Sequence, residues 1–159
     1  MKPTLYILCG APGCGKSTFA KQFNSDFVKW ISRDEIRFQF IKSDEDYFSH
    51  EREVFRHYSK LIADALAEGR HVLADATQLN AASRKKLTTA IDLTFTEYNI
   101  VYVIFTASAE ICIAHNKNRE GRALVPEDVI HRMRASLTIP YNEDMREIGL
   151  ITIEGELGI

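Results

Sequence analysis

Apolar residues in this chain gather into short runs, and between the runs they recur every three or four positions. The runs Leu5–Cys9, Phe27–Ile31, Val72–Ala74, Ile100–Phe105 and Leu150–Ile153 have the length and content of strands. Between them, Lys16–Phe23 reads as a helix that follows a glycine-rich loop. Glu51–Ala67 sets Val54, Phe55, Tyr58, Leu61, Ile62, Ala65 and Leu66 at helical spacing and stops before Gly69, the residue type favoured just past a helix end. Asn80 is placed to cap a helix running through Ile91, and Pro126, followed by Glu127 and Asp128, predicts another with the proline at its first position. Strands alternating with helices imply a parallel sheet covered on both faces, so the expected fold is a five-stranded three-layer α/β/α sandwich.

Composition narrows the class without changing the fold. With 159 residues, 45% hydrophobic and 26% charged, the chain is expected to form one domain over 1–159 and to bury its core without a metal or disulfide staple. Three cysteines, Cys9, Cys14 and Cys112, without a CxxC spacing, are expected as free thiols in a reducing compartment. The first apolar run is too short to span a membrane and lacks a signal-peptide layout, which gives a cytoplasmic expectation with no membrane partner. A net charge of −2 supplies no global field for a polyanion. The densest basic segment, His115 to Arg134, holds five basic residues against three acidic, a balance equally suited to a solvated helix face.

The chemistry starts at "GAPGCGKST". Gly10, Gly15, Lys16 and Ser17 satisfy G-x-x-x-x-G-K-[ST], with Ala11, Pro12, Gly13 and Cys14 filling the loop and Thr18 following it. Such a loop turns its backbone N–H groups onto phosphates, its lysine reaches the β- and γ-phosphates, and its serine ligates Mg²⁺. The preceding strand and following helix are the context this motif requires. Asp75, at the end of "HVLAD", stands where a second magnesium ligand is needed and also falls on the acceptor side, although an acid after a strand often serves a turn.

A guanine-nucleotide switch would need DxxG and NKxD. Here the first segment reads "DATQ" and the second, Asn116 to Arg119, reads "NKNR". The chain is also short for a motor with extra subdomains, so a small phosphotransferase remains. Such an enzyme needs a base for the acceptor hydroxyl and a cation over the moving phosphoryl group. In "SRDEIR", Asp34 and Arg37 share a helix face, one suited to take a proton and the other to grip an anionic group of the acceptor. The same segment reads as a capping box, Ser32 with Glu35, in which Asp34 is a first-turn acid. In "NKNREGR", Gly121 between Arg119 and Arg122 gives a turn ahead of a helix, as in a closing lid over about 115–126, or else a solvated loop.

Taken in order, "GAPGCGKSTFA", "ISRDEIR", "DATQLN" with Arg84 after it, and "HNKNREGRALVPEDVIHRM" resemble the 5′-kinase domain of phage-type polynucleotide kinases. The resemblance implies transfer of the ATP γ-phosphate to a 5′-hydroxyl nucleic acid end and a P-loop kinase sheet of order 2-3-1-4-5. It implies Lys16 and Ser17 for nucleotide and metal, Asp34 as general base, Arg37 for the acceptor's phosphate and Arg119 as the transition-state arginine. The lid is a residue longer than the phage pattern, so either Arg119 or Arg122 holds that role, with Arg122 otherwise on the nucleotide. His115 stands where relatives often carry arginine, and the acid of "DATQ" comes one position early, as in eukaryotic repair kinases. The phosphatase motif DxDGT of many relatives has no counterpart beyond "DEDYF", so a kinase without phosphatase activity is expected. The rivals are a kinase of a small hydroxylated metabolite (nucleoside, sugar acid or sugar nucleotide) and a non-catalytic nucleotide-binding module. Phe38, Tyr47 and Phe48 are of a type that stacks on terminal bases, or that fills a core.

Overall fold

A computed structural model describes residues 2–42, 44–94, 97–121, 124–140 and 148–154. Its strands are β1 (Thr4–Cys9), β2 (Val28–Ser32), β3 (His71–Asp75), β4 (Asn99–Phe105) and β5 (Ile148–Ile153), all parallel in the order β2-β3-β1-β4-β5. Its helices are α1 (Lys16–Lys21), α2 (Arg33–Phe40), α3 (Glu51–Ala67), α4 (Ala81–Asp92), α5 (Ala109–Asn116) and α6 (Glu127–Ser136). Period-two alternation divides the strands between two cores. One face sets Leu5, Ile7, Val72, Ala74, Ile100 and Tyr102 against Val54, Tyr58, Ile62 and Leu66 of α3 and Leu87 and Ile91 of α4. The other sets Leu8, Leu73, Val103 and Phe105 against Ala20 of α1, Cys112 of α5 and Ile130 of α6. This is the three-layer sandwich expected, with the P-loop kinase strand order.

The ends of elements follow local chemistry. Helix α3 stops in a Schellman turn: Gly69, at φ 83°, donates to the Leu66 carbonyl at 2.9 Å and Arg70 to that of Ala65 at 3.0 Å. Asn80 and Ser83 form a reciprocal capping box on α4. Helix α1 ends two residues before the expected Phe23, because the Phe23 N–H turns to the Ala20 carbonyl three residues back. Strand β2 lies one residue later than expected, with Phe27 exposed and only its carbonyl joined to the sheet, through the His71 N–H. Pro126 is not the first residue of α6 but the one before it: its ψ of 141° is extended, and its carbonyl accepts from Val129 and Ile130. Helix α5 carries no sequence signal because Ile111, Cys112, Ile113 and Ala114 are contiguous and hide any periodicity.

Among the described residues, no helix is long and apolar enough to cross a membrane. All three cysteines are free and buried, and burial pushes the Cys112 thiol up to about 11.

Candidate active site

The loop between β1 and α1 closes on itself. Lys16 folds back so that Nζ donates to the carbonyls of Gly10 at 2.7 Å and Ala11 at 3.1 Å and reaches Cys14 Sγ at 3.5 Å. Two glycines make this path possible. At Gly13, φ is 84° and a Cβ would lie 2.4 Å from the Cys112 carbonyl oxygen, so any side chain would drive the loop off α5. Gly15, at φ 101°, has the left-handed conformation that starts α1, with open space where its side chain would be. Pro12 and Ser17 are half-buried, and Thr18 is exposed on the first turn of α1. His115, at the end of α5, donates from Nδ1 to the Gly13 carbonyl at 2.8 Å, and so braces the loop from the side.

Asp75 meets this loop at the carboxyl end of the sheet, opposite Leu8 in β1 and Ser32 in β2. Its Oδ2 accepts from Ser17 Oγ at 2.9 Å and from Trp30 Nε1 at 2.9 Å, although the carboxylate is almost fully buried. A hydroxyl and a carboxylate face to face beside a phosphate loop are hard oxygen donors that suit magnesium, which takes few protein ligands and shares the rest with phosphates and water. The adjoining turn is held by Gln78, whose φ is 43° and whose amide donates to the carbonyls of Leu8 at 2.6 Å and Ala74 at 3.1 Å. Arg84, named with the "DATQLN" segment, is fully buried, and donates to the carbonyls of Gln78 and Thr138, both at 3.1 Å.

The acceptor side is built by α2, the loop after it and the start of α3. Ser32 caps α2 by accepting from the Glu35 N–H at 3.3 Å, without a return bond from the Glu35 side chain. The cap therefore leaves Asp34 out. Its side chain is 58% exposed, and both its partners, Arg37 Nη1 and the Tyr47 hydroxyl, donate to Oδ1, the latter at 2.6 Å. Oδ2 accepts no hydrogen bond among the described residues.

Arg37 departs from the expectation that it is poised for an anion. Only 6% exposed, it forks onto Glu51, Nε to Oε2 at 2.7 Å and Nη2 to Oε1 at 2.6 Å, while Nη1 also donates to Tyr47 at 2.9 Å. Arg37 is thus held in an internal ion pair with Glu51. Burial is the largest single influence and works against the Arg37 charge, but the bond to Glu51 and the neighbouring Tyr47, Asp34 and Glu51 together outweigh it and hold the guanidinium protonated. Burial and the neighbouring Asp34 charge push the Tyr47 phenol up, so it stays protonated as a donor. Glu51 gives no signal in the sequence, and Tyr47 reads there only as a stacking or core aromatic, because no spacing ties either residue to α2.

The loop expected as a lid is held at its base. Buried Asn116 donates from Nδ2 to the Val125 carbonyl at 2.6 Å, and its Oδ1 accepts from the Val125 N–H at 2.9 Å, which closes the base of the loop. Within it the Arg119 N–H bonds the Asn116 carbonyl at 2.9 Å, and Gly121 turns at φ 58°. Arg122 lies outside the described residues. Arg134, counted in the basic segment, is spent on the fold, with Nε on the Ala107 carbonyl at 2.8 Å. One cavity of about 970 Å³ runs from Gly13, Lys16 and Ser17 past Asp75 to Asp34, with Arg119 in its wall. Donor loop and candidate base thus face a common space, as phosphoryl transfer requires.

No curated protein is a significant match to this chain. Among solved structures, a chain of the Pnkp1/Rnl/Hen1 RNA repair complex is similar at 26% identity and a TM-score of 0.71, over 85% of this chain and 44% of that one. The present chain therefore spans less than half the length of that relative. A sugar kinase from Janibacter sp. HTCC2649 is similar at 14% identity and a TM-score of 0.65, over 97% of this chain and 86% of that one. A fungal RNA kinase is similar at 15% identity and a TM-score of 0.66, over 99% and 75%. At these identities the last two share the fold alone. The AAA_33 family profile, described as an AAA domain, matches residues 5–140. With its phosphate loop at the carboxyl edge of a sheet of order β2-β3-β1-β4-β5, the chain belongs to the AAA_33 family and has the P-loop kinase fold.

Proposed function

We propose that this protein transfers the γ-phosphoryl group of ATP to the 5′-hydroxyl end of DNA or RNA. The observation that carries this is Asp34: a carboxylate fixed through Oδ1 by Arg37 and Tyr47, unbonded at Oδ2, and open to the same cavity as Lys16 and Ser17. Oδ2 accepts the proton of the acceptor hydroxyl as that oxygen forms its bond to the γ-phosphorus and the bond to the ADP oxygen breaks. Lys16 exchanges its bonds to the loop carbonyls for the β- and γ-phosphates, and Arg119 lies over the moving group from the lid. Ser17 and Asp75 would hold Mg²⁺, which when bound neutralises charge on the β- and γ-phosphates.

A second reading has one observation in its favour. Because Arg37 is bonded to Glu51, the acceptor does not need a phosphate beside its hydroxyl, and a small neutral metabolite satisfies the same base. Incubation with labelled ATP, Mg²⁺ and a 5′-hydroxyl oligonucleotide, beside nucleosides and sugar acids, separates the two. Label on the oligomer is the expected result, and label only on a sugar acid overturns it.

A further inference from the structure

The acceptor end of the cavity holds two phenylalanines that the fold leaves in water. Phe38 is 42% exposed and Phe48 62%, and both line the space that contains Asp34. They flank Tyr47, Phe38 at a ring distance of 6.0 Å and Phe48 at 4.7 Å, each close to perpendicular to it. Tyr47 in turn donates its hydroxyl to Asp34 at 2.6 Å, so a single residue joins the aromatic edge to the candidate base. The Arg37 guanidinium lies 5.5 Å from the Phe48 ring centre, which backs the ring with a cation. Edge-to-face packing of this kind orients the rings without pairing any of them in a parallel stack.

Charge at this end selects the kind of group that these rings receive. Glu35 and Asp46 add exposed carboxylates to those of Asp34 and Glu51, whereas Arg33 and Arg37 are already bonded to Glu51. A carboxylate or phosphate placed directly against the rings would meet this negative rim. It accepts a neutral aromatic ring, whose amino groups find carboxylates nearby. We propose that Phe48, with Phe38, is a stacking platform for the base of the nucleotide that carries the acceptor hydroxyl, an assignment that rests on the 5′-end reading above. The acceptor is then recognised by its base and not by a phosphate on Arg37.

The test compares two oligonucleotides that differ only at the 5′-terminal position, one with a base and one abasic, with the wild-type chain, Phe48→Ala and Phe48→Trp. Base stacking on one aromatic side chain gives an expected wild-type preference for the base-bearing end of about 5- to 100-fold in kcat/KM, carried mainly by KM. That preference collapses in Phe48→Ala and returns in Phe48→Trp. Equal turnover of both oligomers by the wild type overturns the platform and leaves the 5′-end reading standing. So does an equal loss on both in Phe48→Ala, which would mark a structural role. Free nucleosides and ribose complete the panel. Transfer to nucleosides but to no oligomer overturns the polynucleotide reading and upholds the platform, and transfer only to ribose or a sugar acid overturns both.

Discussion

The donor and acceptor halves of the cavity are made in opposite ways. The donor half is backbone: residues 10 to 17 wrap on themselves, and Lys16 finds its partners five and six residues back. The acceptor half is side chain: Asp34 is held by Tyr47 thirteen residues on, and Arg37 by Glu51 fourteen residues on, across α2, a loop and α3. A backbone cradle tolerates little change because its glycine angles and close approaches have no substitute. A side-chain bracket is retuned one residue at a time, which lets a single donor cradle serve many acceptors.

If the division is right, the largest effect of a single substitution lies between the halves, at the lid. Arg119→Ala is expected to lower kcat by about 10³–10⁵, as arginine fingers do, with nucleotide affinity much less affected. Single-turnover kinetics beside equilibrium nucleotide binding measure both. A mild Arg119→Ala with a severe Arg122→Ala moves the role along the loop, and two mild variants remove the lid from the chemistry.

The next effect belongs to the acceptor half alone. Asp34→Asn keeps the size of the side chain and removes the proton acceptor, so turnover falls about 10²–10⁴-fold while nucleotide binding survives. Unchanged turnover would return Asp34 to the role of a first-turn acid on α2.

The same contrast decides how much was legible in the sequence. The five strands and the phosphate loop were readable because they depend on local patterns: period, glycine spacing, and a strand leading into a helix. Motif context singled out Asp75 at the end of β3 and Asp34 in the first turn of the helix after β2. The bonds made by Glu51, Tyr47, Trp30 and Gln78 were not readable. Each residue acts through a partner distant in the chain, at 14, 13, 45 and 70 residues for the bonds to Arg37, Asp34, Asp75 and Leu8. Arg37 was found without its partner, because Glu51 could be read only as the start of α3. The aromatics were left open between core and surface, and only burial could decide that.

The smallest expected effect probes what the bracket contributes to the fold. Glu51→Gln leaves the Arg37 charge buried with one partner weakened. Because Glu51 is itself partly in water, the cost at neutral pH is on the order of 1–2 kcal/mol, below that of breaking a fully buried pair. Burial alone would raise the Glu51 pKa, but the bond and charge of Arg37, joined by Arg33, win and hold it below the usual carboxylate range. A carboxylate depressed in the folded state stabilises above its unfolded pKa, and that stability is lost as pH falls through the folded value. The gap in urea midpoint between wild type and Glu51→Gln is therefore expected to be full at pH 7 and to narrow below about pH 4. A gap that persists unchanged in acid would mean that Glu51 acts by shape and hydrogen bonding. No gap at pH 7 would mean that Asp34 and Tyr47 hold Arg37 unaided, and the acceptor half would then be pinned from α2 and its loop without α3.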